Sequence, residues 1–240
     1  MTFAGLVAAR ATALTLDQYG VHLKGKPGEM IRGAIKLTND RAHPVVFDVG
    51  TFDLSAPRGT LWPWLVLGRS EIAIAGGATT QMEYTVSIPT NAAGQLLSRV
   101  SFTERPASTQ AGAVSFLSRM SIHIAATIVG TEVYAGAVTG LEVVGRPTPL
   151  IRFRFRNDGN VYLKPSGPCV IRDAATGERV ARTIVNRVGE AVHVGRTEPL
   201  IGALSPALAP GEYAAEVSLK YAEALLVNET FRFTVSGEAP

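Results

Sequence analysis

Chemically reactive side chains are scarce in this sequence. Its 240 residues include one cysteine, Cys169, so neither a disulfide nor a thiolate metal cluster can form within the chain. Acidic residues are scattered singly, and no Gly-x-Ser-x-Gly, Walker or calcium-loop motif occurs. The four histidines lack the short spacing of zinc ligands; they are His22, His43, His123 and His193. We therefore expect no catalytic residue, no metal and no cofactor, and the sequence predicts that the protein is not an enzyme.

Charge and long apolar runs are also limited. Charged residues make up 18% of the chain and the formal net charge is +3. Nucleic-acid-binding domains usually concentrate Lys and Arg in a run or on one face, so this small excess predicts no nucleic-acid partner. No apolar run reaches the roughly 18 residues of a membrane-spanning helix, so we expect no integral membrane segment.

What the sequence does contain is alternation of apolar and polar residues, interrupted by turns. Successive side chains of a strand point to opposite faces, so an apolar residue at every second position predicts a strand with one buried face. The 24 glycines and 14 prolines supply turn signals at intervals typical of a β-sandwich. We expect an all-β protein of two tandem immunoglobulin-like β-sandwich domains. A break in the alternation places them at residues 14–129 and 136–237.

The clearest strand runs from Leu150 to Arg156 and precedes a turn at Asn157–Asn160. Its predicted buried residues are Ile151, Phe153 and Phe155, and its predicted exposed residues are Arg152, Arg154 and Arg156. The arginines fit either a solvated face, paired across strands with Glu142 or Glu216, or a docking face for an anionic partner. Arginine binds carboxylate and phosphate with two parallel hydrogen bonds, and our hypothesis is that part of this face meets an anionic partner.

Three other segments give expectations for the first domain. Leu14–Leu23 is predicted as its first strand and Val114–Ile128 as its last. In the segment Trp62-Pro63-Trp64, Trp64 fits a core position, and Trp62 fits either the rim of that core or an exposed platform for a sugar or an apolar side chain.

The first residues have some features of an export signal. Phe3–Ala9 is a short apolar run, and Ala11-Thr12-Ala13 has the small-x-small form of a cleavage site. We expect residues 1–13 to be either a signal-peptide remnant or an alanine-rich leader. The first alternative, together with the fold, favours an extracytoplasmic location.

Several turn motifs resemble those of a bacterial surface family distantly similar to the WxL-interacting proteins. They are Asn157-Asp158-Gly159-Asn160, Lys164-Pro165-x-Gly167, the turn at 173–177 and Pro27-Gly28-Glu29, within a resemblance that covers residues 15–236. The resemblance implies two tandem sandwiches at the cell surface, the first in contact with peptidoglycan and the second with a host ligand.

The two predicted sandwiches also resemble periplasmic pilus chaperones of the PapD type. Arg119–Ile124 (RMSIHI), after a long loop, is similar to the strand that these chaperones donate to the open sheet of a pilus subunit. The resemblance implies that Arg32 or Arg119 acts as a cation for the subunit's terminal carboxylate.

We therefore predict an exported binding or assembly protein that acts through protein–protein or cell-envelope contacts. The alternative is a periplasmic pilus-assembly chaperone that uses residues 114–126 for donor-strand complementation. In either case we expect the partner to be a protein or a cell-wall polymer, within a surface assembly. The predicted partner-binding residues are Arg152, Arg154, Arg156, Trp62 and Arg119.

Overall fold

The structure is a computed structural model that describes residues 14–17, 20–52, 61–106, 118–144, 149–205 and 207–236. These residues contain strands, one 3-10 turn at Trp62–Trp64 and no α-helix. The chain forms two compact units, one within residues 1–92 and 96–130 and the other within 93–95 and 131–240. The predicted bounds of 14–129 and 136–237 stay a prediction of where separately folding domains begin and end.

The first unit consists of two sheets around one core. Its strands are β1 (Leu14–Leu16), β2 (Gly20–Gly25), β3 (Met30–Asn39), β4 (Val45–Phe52), β5 (Leu65–Leu67), β6 (Glu71–Ile74), β7 (Thr79–Ser87), β8 (Gln95–Glu104) and β9 (Arg119–Ile128). One sheet has the order β1-β3-β7-β5 and the other β2-β9-β8-β4-β6. The two sheets pack apolar side chains against one another, and Ile35, Phe47, Met82, Phe102 and Ile122 are fully buried between them.

The prediction of one strand over Leu14–Leu23 is wrong, because the chain changes sheets there. Strand β1 pairs antiparallel with β3, whereas β2 pairs in parallel with β9. The alternation itself shifts phase: Leu16 faces the core at an even position, and Val21 and Leu23 face it at odd positions. A continuous strand keeps the same parity, so this shift was the available sign of the crossover.

The predicted last strand of the first domain is present as β9, which begins at Arg119. The portion of the prediction that covers residues 114–117 lies outside the described residues. As predicted, Met120, Ile122 and Ile124 face the core while Arg119 and His123 are exposed.

The second unit consists of a three-stranded and a four-stranded sheet. Its strands are β10 (Gly136–Val144), β11 (Leu150–Asn157), β12 (Gly167–Asp173), β13 (Arg179–Val185), β14 (Thr197–Ala203), β15 (Gly211–Tyr221) and β16 (Ala224–Val235). The sheets have the orders β10-β11-β14 and β13-β12-β15-β16. Ile151, Phe153 and Phe155 are fully buried, as the alternation predicted. The chain is therefore all-β, with two immunoglobulin-like sandwiches in tandem.

Asparagine side chains build the turn that follows β11. The Asn157 amide group donates to the carbonyls of Val161 (2.9 Å) and Val192 (2.8 Å), and its side-chain oxygen accepts from Gly159 N (2.9 Å). A Cβ on Gly159 would lie 2.2 Å from the Val133 carbonyl oxygen, so the close approach of these two segments requires glycine. The predicted turn is therefore also the place where the 131–135 segment is anchored.

Candidate functional site

Among the described residues, the first part of β9 has a neighbouring strand on one side only. Strand β8 is its neighbour on one edge, and β2 pairs on the other edge from Gly20↔His123 to Gly25↔Ile128. Within the described part of the chain, no strand pairs with Arg119–Ile122 on the β2 side. Among the described residues, which do not include 18–19 before β2, this segment is therefore a short edge that continues directly into a paired parallel strand.

Two hydrogen bonds show which peptide groups point to the open side. Glu104 N donates to Ser118 O at the β8 side (2.9 Å), and Val129 N donates to Gly25 O at the β2 side (2.9 Å). Peptide groups of a strand alternate in direction, so even-numbered residues of β9 bond towards β8 and odd-numbered ones towards β2. The N–H groups of Arg119 and Ser121 therefore point to the open edge.

The side chain of Arg119 lies on the outer face of the five-stranded sheet. Its Nε donates to Thr103 Oγ1 on β8 (3.0 Å), and its Cζ lies 5.9 Å from the ring centroid of Phe52 on β4. A cation within about 6 Å of an aromatic ring is attracted by the negative charge on the ring face. Arg119 is thus held at two points by groups without formal charge.

Arg32, the other cation that the chaperone resemblance implied, lies elsewhere. It is exposed on β3, which belongs to the four-stranded sheet, whereas Arg119 belongs to the five-stranded sheet. The two arginines therefore occupy different sheets of the sandwich.

The arginines of β11 share one face of the three-stranded sheet, as predicted, but two have acidic partners. Arg152 Nη1 lies 3.0 Å from Glu142 Oε1 on β10, and Arg156 Nε lies 2.7 Å from Asp158 Oδ1 in the following turn. The Asp158 carboxylate raises the pKa of Arg156 through this hydrogen bond. Glu216 pairs with Arg172 in the other sheet (2.9 Å), so the suggestion that it neutralises the β11 arginines is wrong.

Arg154 is the member of this row without an ion pair among the described residues. Its cross-strand neighbours are Gly140 on β10 and Pro199 on β14, neither of which carries a charge. The pairing of β10 with β11 is also irregular between Val138 and Gly140. Arg154 therefore stands exposed between two positions that offer no hydrogen-bonding side chain.

The tryptophan segment forms the 3-10 turn between Leu61 and β5. Trp64 is partly buried against the core of the first unit, as expected, and Leu61 and Leu65 on either side are buried in it. The side chain of Trp62 lies outside the described residues, so its predicted contact with a partner stays a prediction.

Few other features of the described chain point to chemistry. No three His, Cys, Asp or Glu side chains come together there as a metal site would require. Burial raises the pKa of the Cys169 thiol to about 12, with a further contribution from the charge of Glu216, which disfavours the nucleophilic thiolate. None of the described helical turns is long and apolar enough to cross a membrane.

Neither a family model nor a curated protein matches this sequence. Solved structures with a similar fold do exist, at low sequence identity. They include the class 5 fimbriae chaperone CfaA, 12% identical with a TM-score of 0.49, over 92% of this chain and 98% of that chain. The E. coli chaperone DraB is 13% identical with a TM-score of 0.44, over 94% and 98% of the two chains.

A further match is the CsuC–CsuE chaperone–tip adhesion subunit complex of Acinetobacter baumannii, 11% identical with a TM-score of 0.46, over 92% and 97%. Fimbrial chaperones are thus among the structural neighbours. They are the kind of protein named by the PapD-type resemblance, while the resemblance to WxL-interacting proteins finds no support here. At these identities the likeness concerns the fold.

Sequence reasoning singled out Arg119 but not the residues around it. Phe52 and Thr103 lie on β4 and β8, far from Arg119 in the sequence. These residues come together only because three neighbouring strands align in one particular register. The alternation of apolar and polar residues within one strand does not predict that register.

Proposed function

We propose that this chain is an extracytoplasmic, non-enzymatic assembly chaperone, and that it binds a protein partner by accepting or donating a strand at the open edge of β9. The observation that carries the proposal is the segment Arg119–Ile122, which no described strand pairs with on the β2 side, next to the described pairing of β2 with β9. The predicted donor segment, 114–126, includes this edge.

An unpaired edge exposes N–H and C=O groups that bind another extended chain readily. In β9 these groups belong to a strand whose inward side chains, Met120 and Ile122, are anchored in the core. The edge is therefore held extended before a partner arrives. Such preorganisation lowers the entropy cost of binding, because little of the strand must be ordered in the complex.

The test begins with the partner that copurifies with the tagged chain from the envelope of its native host. Hydrogen exchange of the purified complex should be slowed at Arg119 and Ser121, because their N–H groups become hydrogen-bonded to the partner. Ser121→Pro removes an N–H on the open side without removing a bond to β8. It should weaken binding by about tenfold or more, the effect of losing 1–2 kcal/mol.

Ser121→Ala is the matched control, since it keeps the N–H and changes the same side chain. It should bind the partner as the wild type does, and both variants should keep the wild-type circular dichroism spectrum. If Ser121→Pro binds as tightly as Ser121→Ala, or exchange at this edge is unchanged in the complex, strand addition at β9 is wrong. Fractionation of the host tests the location independently.

A second candidate function is contact of the β11 face with an anionic cell-envelope partner, favoured by Arg154, the arginine of this row without an ion pair among the described residues. With Arg152 and Arg156 already paired, this contact depends on one guanidinium instead of three. Arg154→Ser should then weaken retention on envelope material as much as the triple change to serine does. A larger loss in the triple variant would show that the paired arginines also bind.

A further inference from the structure

The turn that follows β13 exposes an apolar side chain to solvent. Val188 is 84% exposed, the highest value among the exposed large hydrophobic side chains of the described chain. Its neighbour Arg187 is also exposed. A single exposed valine is ordinary on a protein surface, so the surroundings of this turn decide whether it forms part of a site.

The turn is held in one conformation by a buried asparagine. Asn186 Nδ2 donates to the carbonyls of Pro165 (2.8 Å) and Glu190 (2.9 Å), and Asn186 Oδ1 accepts from Glu190 N (2.9 Å). Only 3% of Asn186 is exposed. Arg187 and Val188 are therefore presented outward before any ligand arrives, which lowers the entropy cost of binding.

Two more exposed apolar residues flank the same edge of the second unit. Asn186 N donates to Ile201 O on β14 (2.8 Å), so the turn lies beside that strand. Ile201 is 40% exposed and Ile184 on β13 is 42% exposed. Because their neighbours Leu200 and Val185 are buried, Ile201 and Ile184 point to the outer faces of their two sheets. Together with Val188 they form an apolar ridge along this edge.

The arginines of the ridge have no acidic partner among the described residues. Arg182 is exposed on β13, and Glu216 lies two strands away in the same cross-strand row. The Glu216 carboxylate accepts from Arg172 Nε (2.9 Å), so it is already paired. Arg187 shares its turn with Glu190, but the two form no ion pair in the described chain. The ridge therefore combines apolar side chains with two available guanidiniums.

We propose that this ridge docks on a membrane surface that contains anionic phospholipids, with Val188 inserted among the headgroups and Arg182 and Arg187 bound to lipid phosphates. Burial of apolar surface and attraction between cations and anionic lipids add in such contacts. Arginine also matches the geometry of a phosphate, to which it can donate two parallel hydrogen bonds.

The placement of the apolar residues favours a membrane over a protein partner. Ile184 and Ile201 lie on the outer faces of different sheets, so a flat and rigid partner contacts only one of them. A fluid headgroup layer closes around a ridge and contacts both. This contact goes beyond the proposed function and does not depend on it, because strand addition uses β9 of the first unit.

Sedimentation of the full chain with vesicles of equal parts phosphatidylcholine and phosphatidylglycerol measures this binding. Arg182→Gln and Arg187→Gln should each weaken it by about fivefold, the effect of losing one cation near an anionic surface. Val188→Ser should weaken it by about fivefold or more, because less apolar surface leaves water. Added salt should weaken it as well, and vesicles of phosphatidylcholine alone should bind far less.

The opposite edge of the same sheet, β16, supplies the matched controls. Arg232→Gln removes an exposed arginine there, and Leu225→Ser removes a side chain that is 56% exposed. Both variants should bind the vesicles as the wild type does, and all variants should keep the wild-type circular dichroism spectrum. Ser121→Pro should also bind normally, so failure of strand addition is distinguishable from failure of membrane docking.

An environment-sensitive fluorophore shows which edge enters the membrane. Cys169 is buried, so the label should attach only to the introduced thiol of Val188→Cys or Leu225→Cys. The emission of the label at position 188 should shift to the blue with the anionic vesicles, whereas the label at position 225 should not respond.

Absence of binding, equal binding to both kinds of vesicle, or equal shifts of the two labels would overturn the proposal. Displacement of the vesicles by polyglutamate at constant ionic strength would also overturn it, since the ligand would then be an acidic protein. Displacement by inorganic phosphate but not by chloride, again at constant ionic strength, would assign the site to free phosphate instead of lipid.

Discussion

Phe153→Ala should destabilise the second unit far more than Arg154→Ala, although the two residues are neighbours in β11. Phe153 has no exposed surface, and its ring packs edge-on against Phe231 with centroids 6.1 Å apart. Truncation of a buried phenylalanine costs about 3–5 kcal/mol, because apolar contacts are lost and a cavity remains. Arg154 is exposed without an ion pair among the described residues, so its truncation should cost less than about 1 kcal/mol.

Urea denaturation followed by far-ultraviolet circular dichroism measures this difference. With an m value of about 1.5 kcal/mol per molar, Phe153→Ala should lower the midpoint of the second unit by about 2–3 M. Both tryptophans, Trp62 and Trp64, belong to the first unit, so their fluorescence reports the unfolding of that unit. If the units unfold separately, Phe153→Ala should leave this fluorescence midpoint nearly unchanged. Equal losses for the two variants in the circular dichroism series would show that the assignment of buried and exposed faces is wrong.

Three further predictions concern β12 and the turn that follows it. Gly167→Ala should cost about 1–3 kcal/mol in chemical denaturation, because its Cβ would lie 1.9 Å from Ser218 O, whereas Gly140→Ala should have little effect. Cys169, whose pKa is raised to about 12 mainly by burial, should react with a thiol reagent at pH 8 only after unfolding; rapid reaction of the native protein would contradict its burial. The pKa of Asp173 is lowered by hydrogen bonds from the backbone of Thr176 and then of its neighbour. The contribution of the Asp173 carboxylate to stability should therefore be present above the unfolded pKa and be lost as the pH falls through the folded pKa. Asp173→Asn should remove that part of the acid dependence of the melting temperature.

The extent of successful prediction from sequence differs between the fold and the site. In β11 the alternation of Phe153 and Phe155 with arginines correctly predicted which side chains are buried, because burial on a sheet depends on parity within one strand. The phase shift between Leu16 and Val21 was also present in the sequence, and it separates β1 from β2. These properties are local, so a single segment contains them.

Pairing of charges is different, because it depends on which strands become neighbours. Arg156 is neutralised by Asp158, two residues away, but Arg152 by Glu142, which reaches it only through the β10–β11 register. The contact of Arg119 with Phe52 spans three strands in the same way. No period within one strand contains this information, which is why the arginine row was predicted, whereas the member without an ion pair among the described residues was not.

Asn160 gives the last prediction, because its side chain joins the 131–135 segment to the turn after β11. Its Oδ1 accepts from Val133 N (2.7 Å), and its Nδ2 donates to Thr131 O (2.9 Å). A backbone hydrogen bond from Asn160 N to Val133 O adds to the same junction (3.1 Å).

These hydrogen bonds restrain the 131–135 segment, so cleavage after Glu132 by a glutamate-specific protease should be slow in the native protein. Asn160→Ala removes two hydrogen bonds, worth about 1 kcal/mol each, and should speed this cleavage by about tenfold or more, because proteolysis follows the population of locally opened chain. Asn228→Ala, at an exposed position of β16, is the control and should be cleaved at the wild-type rate. Mass spectrometry of the early fragments assigns the site of the first cut. Equal rates after Glu132 in all three proteins would mean that the side chain of Asn160 does not restrain the segment, and that the backbone bonds alone account for its order.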